Sequence, residues 1–150
     1  MKRFAFAGLM LGALIAAPAQ ALEHKVTIEH PDAGPIAADY RGSANIVETQ
    51  IGSAGPGGRA STLRCQWSVS LTVERTALAG SGMQASRSMT QNNALKGSAP
   101  GWCSSNSKGI QRIVDAKRDS LRQTMMAMVE QDRAVILAEA DSAKNRASAG

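Results

Sequence analysis

The stretch TLRCQWSVSLTVER, residues 62–75, decides the fold. Leu63, Cys65, Trp67, Val69, Leu71 and Val73 form one row, and Arg64, Gln66, Ser68, Ser70, Thr72 and Glu74 form the other. Strict alternation of this kind is the pattern of a half-buried β-strand, with one face on a core and one in water. A cysteine in the apolar row is the point that needs a reason.

The chain contains two cysteines, Cys65 and Cys103, 38 residues apart. That spacing is not the CxxC of a redox enzyme. The start of the chain supplies the context. Lys2 and Arg3 precede an apolar run from Phe4 to Ala17, then Pro18 and the small-residue triplet Ala19-Gln20-Ala21. This is the layout of a secretory signal peptide, residues 1–21, cleaved after Ala21. The apolar run is shorter than the roughly 20 residues that span a bilayer. The expected product, 22–150, is one exported domain of the periplasm or the medium, without a later membrane span. In that compartment two cysteines read as a disulfide, and Cys65 faces the core because it anchors a staple. Trp67 and Trp102, the two tryptophans, lie beside the cysteines and are expected to pack on the bridge.

Removing Lys2 and Arg3 takes the formal charge from +5 to +3. A balance so close to neutral does not call for a nucleic-acid partner.

Two more strands flank the first. Residues 22–30, LEHKVTIEH, alternate, and PDAGP then makes a turn. A second strand covers about 36–51, with an apolar row of Ile36, Ala38, Tyr40, Ala44 and Ile46 that continues as Val47, Thr49 and Ile51. The change of parity predicts a β-bulge at Ile46–Val47 or a bend onto another sheet. The third strand covers 62–75. GSAGPGGRAS joins strands two and three as a flexible loop; with Arg59 it could offer an anion nest, but it lacks the P-loop pattern. Residues 76–107 carry little periodicity and read as a loop pinned by Cys103, with a short weak helix around 84–96 as the alternative. Such loops often carry binding function.

From about 108 to 146 the period becomes helical. Ile110, Ile113, Val114, Leu121, Met125, Met128, Val129, Val135, Ile136 and Ala140 make the apolar stripe, and Asp115, Asp119, Glu130 and Asp132 fall on the polar side. Ser107 or Asn106 is the expected cap. Unbroken, such a helix runs on the order of 55 Å, longer than a small sheet covers, so it protrudes, bends back or pairs with another chain. Of the clustered methionines, Met125 and Met128 belong to the stripe and Met126 points off it.

Groups able to do chemistry are few. His24, His30 and Asp32 suggest a partial metal site, but an extended strand holds the two rings about 20 Å apart. Asp115 with Asp119, and Asp132 with Glu139, read as helix-surface ion-pair partners. There is no GxSxG or HExxH motif. No catalytic residue, cofactor or metal ligand is assigned. The sequence therefore predicts an α+β fold: an antiparallel sheet of about three strands on a long C-terminal amphipathic helix, with one Cys65–Cys103 disulfide. The expected role is a non-catalytic binding or adaptor protein of the bacterial envelope, its contact an envelope protein. A secreted hydrolase inhibitor, or a scaffold or chaperone that oligomerises through its helix, is the alternative.

Overall fold

The alternating stretch forms a strand, Arg64–Ala79, in which every second residue from Cys65 to Ala77 is buried. The computed structural model describes residues 22–57, 61–80 and 82–149; the expected signal peptide, residues 1–21, and Arg59 lie outside the described residues. Four strands, β1 (Leu22–His30), β2 (Gly34–Ile51), β3 (Arg64–Ala79) and β4 (Gln84–Pro100), form one antiparallel sheet in the order β1-β2-β3-β4. Helices α1 (Cys103–Ala116) and α2 (Arg118–Ser148) follow. The α+β class stands, with four strands in place of three.

The added strand is the segment expected to be a loop. β4 pairs with β3 along almost its whole length, from Leu78 opposite Gln84 to Arg64 opposite Pro100. It hides from a periodicity reading for two reasons. Its helix-side row is Ala85, Arg87, Met89, Gln91, then Leu95, Gly97 and Ala99, mostly small or polar residues suited to an edge. A bulge also sets Asn92, Asn93 and Ala94 against Ser70 alone, with Asn93 in the left-handed region at φ 54°. Gly97 is required by packing, because a Cβ there would lie 2.4 Å from the indole of Trp67.

The bulge expected in β2 is absent. β2 and β3 pair without a register shift from Ile36 opposite Ala79 to Ile51 opposite Arg64. Parity is unbroken, so Val47 stands on the open face and Glu48 and Gln50 take helix-side positions. They are polar because α1 begins there. Gln50 Oε1 accepts the Cys103 backbone N–H at 2.7 Å, and Glu48 Oε1 accepts the Ser107 hydroxyl at 2.9 Å. A helix N-terminus has unsatisfied donors, and here β2 supplies an acceptor for one. Ser107 and Asn106 are therefore not the cap. The N-cap is Trp102, and the Asn106 side chain donates back to the carbonyls of Pro100 and Trp102.

The single helix expected over 108–146 starts five residues earlier and is interrupted at Lys117, whose N–H is shared between the carbonyls of Ile113 and Val114. The apolar seam continues across the break through Ile110, Val114, Leu121, Met125, Val129, Ile136 and Ala140, all buried against the sheet. Ile113 and Met126 lie off the seam and are exposed. No helix among the described residues is long and apolar enough to cross a membrane.

Cys65 and Cys103 are bonded, fastening the first residue of α1 to the buried row of β3. Trp67 is in the same buried cluster as Cys65, but Trp102 is 53 % exposed and outside it. The reason is local: Gly101, at φ 91°, turns the chain out of β4, and the following residue caps the helix with its side chain outward.

Candidate functional site

A polar row crosses the apolar face. His24, Tyr40, Arg75 and Arg87 are cross-strand neighbours on β1, β2, β3 and β4, so the register brings them to one level under α2. Two cations are thus paired directly opposite one another, which alone would be destabilising. Asp132 and Glu139 of α2 supply the opposite charge. Asp132 Oδ1 accepts from Arg87 Nη1 at 3.0 Å, and Oδ2 accepts from the Tyr40 hydroxyl at 3.1 Å. Arg75 donates twice to Glu139, at 2.7 and 3.1 Å. Its Nε lies 3.3 Å from Asp132 Oδ2, but that N–H is not aimed at the oxygen, so the contact is electrostatic.

Burial sets the electrostatics of the row. Tyr40, Arg75 and Asp132 are buried, Glu139 is partly exposed, and Arg87 has 41 % of its side chain open to solvent. Burial, aided by the charge of Asp132, pushes the Tyr40 phenol well above its ordinary range. The same burial opposes the charge on Arg75, but the hydrogen bonds to Glu139 and the charges of Asp132 and Glu139 outweigh it and keep the guanidinium protonated. The Glu139 carboxyl is held below its usual value by the Arg75 hydrogen bonds, against a smaller effect of burial. Two arginines and two carboxylates balance, so the row is an internally paired network whose most open charged member is Arg87.

That open member leads to a groove. Between β4 and α2 lie two adjoining hollows of about 330 and 430 Å³. Met89, Met128 and Val135 line the first, with Arg87 and Asp132 at its polar side. Met83, Ala85, Val135 and Ala138 line the second, with Glu139 and Arg146. The outer edge of β4 forms one wall, and among the described residues no strand pairs with it. From Gln84 to Gln91, between the turn after β3 and the bulge, this edge is regular, free of proline, and charged only at Arg87. Larger hollows of about 660 and 700 Å³ exist elsewhere. The first, on the open face, has its Asp39 carboxylate already beside Lys25 and Arg41. The second abuts Leu22, the first described residue.

The residues singled out from the sequence are dispersed. His24 sits in the polar row with its ring 6.4 Å from that of Tyr40, and is not joined to His30. His30, Asp32 and Asp141 do meet, their ligand atoms within 4.8 Å of one another. The histidine is committed, however. Nδ1 accepts the backbone N–H groups of Asp32 and Ala33, so Nε2 carries the proton that it donates to Asp141 at 3.1 Å. Protonated Nε2 has no lone pair, that of Nδ1 is spent on the two amides, and Asp32 is engaged by Lys144 at 2.8 Å. Glu48 approaches Cys65 and Cys103, whose sulfurs are spent on each other. Asp115 accepts from Gln111, four residues earlier, and Asp119 stands in the first turn of α2, where the helix dipole favours an acid.

Asp132 and Glu139 were expected at a charged helix surface; instead they cross to the sheet. Asp132 follows Val129 by three residues and precedes Ile136 by four, so helical spacing places it in the seam. Arg75 continues the odd-numbered row of β3. An acid in one apolar row and a base in the other was the readable sign of this network. No protein-family model matches the chain, and no curated protein or solved structure is significantly similar to it.

Proposed function

We propose that this chain is a non-catalytic binding protein of the bacterial envelope that captures an extended segment of another protein as a fifth strand on β4. The observation that carries this reading is the edge itself: residues 84–91, with no strand among the described residues on their outer side and walled by a groove under α2. Strand addition uses main-chain hydrogen bonds for affinity and side-chain pockets on one face for selectivity. β4 offers the first and the methionine-lined hollows the second. Methionine suits such a wall, because its flexible thioether adapts to different side chains. The envelope location rests on the leader-like residues 1–21 and on a disulfide, which persists in oxidising compartments.

An oligomer built through the helices has less support, because their seam is already buried on the chain's own sheet. An inhibitor needs a stiff protruding loop, and the sequence between β2 and β3 is rich in glycine.

The test is selection from a display library of short random peptides on the oxidised protein, followed by amide hydrogen exchange. Bound peptide is expected to protect alternate amides within 84–91 and to lose binding when its own alternate amides are N-methylated. Selected peptides that protect another surface and leave β4 unchanged would overturn the reading.

A further inference from the structure

We infer that the captured strand is acidic at one position, with the pattern apolar–x–Asp/Glu–x–apolar, and that Arg87 reads the acid. This rests on strand capture at β4 and adds the chemistry of the partner. A fifth strand places alternate side chains on the helix side, beside the row Ala85, Arg87 and Met89. The residue beside Met89 enters the hollow between Met89, Met128 and Val135, and the residue beside Ala85 enters the one lined by Met83, Val135 and Ala138. Both hollows favour apolar side chains. The residue between them faces Arg87.

Charge decides what that central residue is. A guanidinium has five N–H donors, and Arg87 spends one of them, on Asp132. Its side chain is 41 % exposed and lines the first hollow. The negative groups nearby are already used. Asp132 has no exposed surface, and both oxygens of Glu139 hold Arg75. At the far end stands Arg146, whose guanidinium makes no hydrogen bond or ion pair among the described residues. The unspent charge of the groove is therefore that of Arg146, Arg87 being balanced within the polar row, and a carboxylate at the centre of the added strand meets the unused N–H donors of a guanidinium that Asp132 has already oriented. A second copy of this chain would bring a further donor to the seam, its own Arg87, and no acceptor for it. The peptide's other row lies beside Ser86, Ser88 and Thr90 and suits Ser or Thr.

The test compares three synthetic peptides, Thr-Val-Thr-Glu-Thr-Val-Thr and its central Gln and Lys versions, on the oxidised protein by fluorescence anisotropy, with hydrogen exchange across β4. The Glu peptide is expected to bind about tenfold or more tightly than the Gln peptide, the scale of a charge-assisted hydrogen bond, with the Lys peptide weakest. The Glu preference should shrink as salt is raised. Arg87→Gln should reduce the Glu-to-Gln affinity ratio to near one, and Arg87→Lys should leave part of it. The peptide comparison is made on the unmodified protein, so it stands even if a variant folds poorly. Equal protection of β4 by all three peptides would overturn the acidic pattern and leave strand capture intact. If none protects residues 84–91, or if those amides are already protected in a self-associated form, both readings fall.

Discussion

The two edges of the sheet are built on opposite plans. β1 is nine residues long, carries Glu23, Lys25 and Glu29 on its open side, and is fastened at its far end to α2 by His30–Asp141 and Asp32–Lys144. β4 is 17 residues long, with Arg87 and Lys96 as its only charges and a file of Ser, Thr and Asn side chains. Charge, shortness and cover are the usual ways of keeping an edge from pairing with other chains. β1 has charge and shortness, and its far end is tied to α2, whereas β4 has mainly the bulge at Asn92–Ala94, which confines the regular edge to 84–91. The contrast teaches that the availability of β4 is local, limited to the part beside the groove and the polar row.

The largest test of this contrast removes the acid that joins β4 to α2. Asp132→Ala leaves Arg75 buried beside Glu139 alone and releases Arg87. Breaking one partner of a buried ion network costs about 3–5 kcal/mol, a large part of the stability of an ordinary domain. Urea unfolding should show that loss. Asp132→Asn, which keeps an acceptor but not the charge, should lose less. A loss below about 0.5 kcal/mol, the range of ordinary surface changes, would mean that the polar row does not anchor β4.

Next comes the far end of the same edge. Gly101 follows β4 and Cys103 opens α1, so the bridge to Cys65 ties the exit of β4 to the start of the inner strand β3. On the chain-entropy model a loop of 38 residues stabilises by about 4 kcal/mol, and strain commonly lowers the measured value. Reduction, or Cys65→Ser, should lower the melting temperature by many degrees. Equal melting of the oxidised and reduced proteins would remove the bridge as a stabilising element.

The same contrast explains what could be read in the sequence. β1, β2 and β3 were legible because each packs a regular row beneath the helices, and Cys65 pointed to its bridge because a cysteine in an apolar row, paired in number with one other and behind a leader-like start, reads as half of a disulfide. β4 was not legible as a strand, because the helices cover it only in part. Ala85, Arg87, Gln91 and Gly97 then suffice where an inner strand needs Val or Leu, and the bulge breaks the period between them. The 76–107 stretch therefore reads as a loop, and the strand edge that it forms is not foreseen. Glu48 and Gln50 misled for a related reason. They look like a break in parity because the core face ends there in a helix terminus, which needs acceptors and not methyl groups.

The fastening of β1 offers a smaller effect that separates two bonds of one side chain. His30→Ala removes the acceptor for the Asp32 and Ala33 amides in the β1–β2 turn and the donor to Asp141. The cost expected is about 1–3 kcal/mol, that of leaving donors unsatisfied. His30→Asn places an oxygen near the position of Nδ1 and should restore the turn, whereas His30→Gln reaches toward the position of Nε2 and should restore the link to α2. Recovery by Asn alone would show that the turn, and not the helix, holds the end of β1. Recovery by Gln alone would show the reverse.

The smallest effect is read at acid pH, and it asks whether the two edges differ in how well their ion pairs are shielded. Both Glu139, beside β4, and Asp32, beside β1, have carboxyls held below their ordinary values of 4.5 and 3.8, the first by Arg75 and the second by Lys144. A folded-state value below the unfolded one means that the unfolded chain binds the proton first. The stability from each pair is therefore complete above the ordinary value and is lost as pH falls through the lowered one. The partners differ: Arg75 is sealed from solvent, while Asp32 and Lys144 are each about half exposed. Exposed pairs are screened by salt and contribute little. Thermal melts from neutral pH down past 4 should thus show an acid limb that Glu139→Gln flattens at low and high salt alike. Lys144→Ala should leave the melting temperature at neutral pH unchanged, and any small change it makes to the acid limb should vanish in high salt. A salt-resistant effect of Lys144→Ala would place a protected anchor at the β1 edge as well, and the asymmetry between the edges would then rest on strand length and side-chain charge alone.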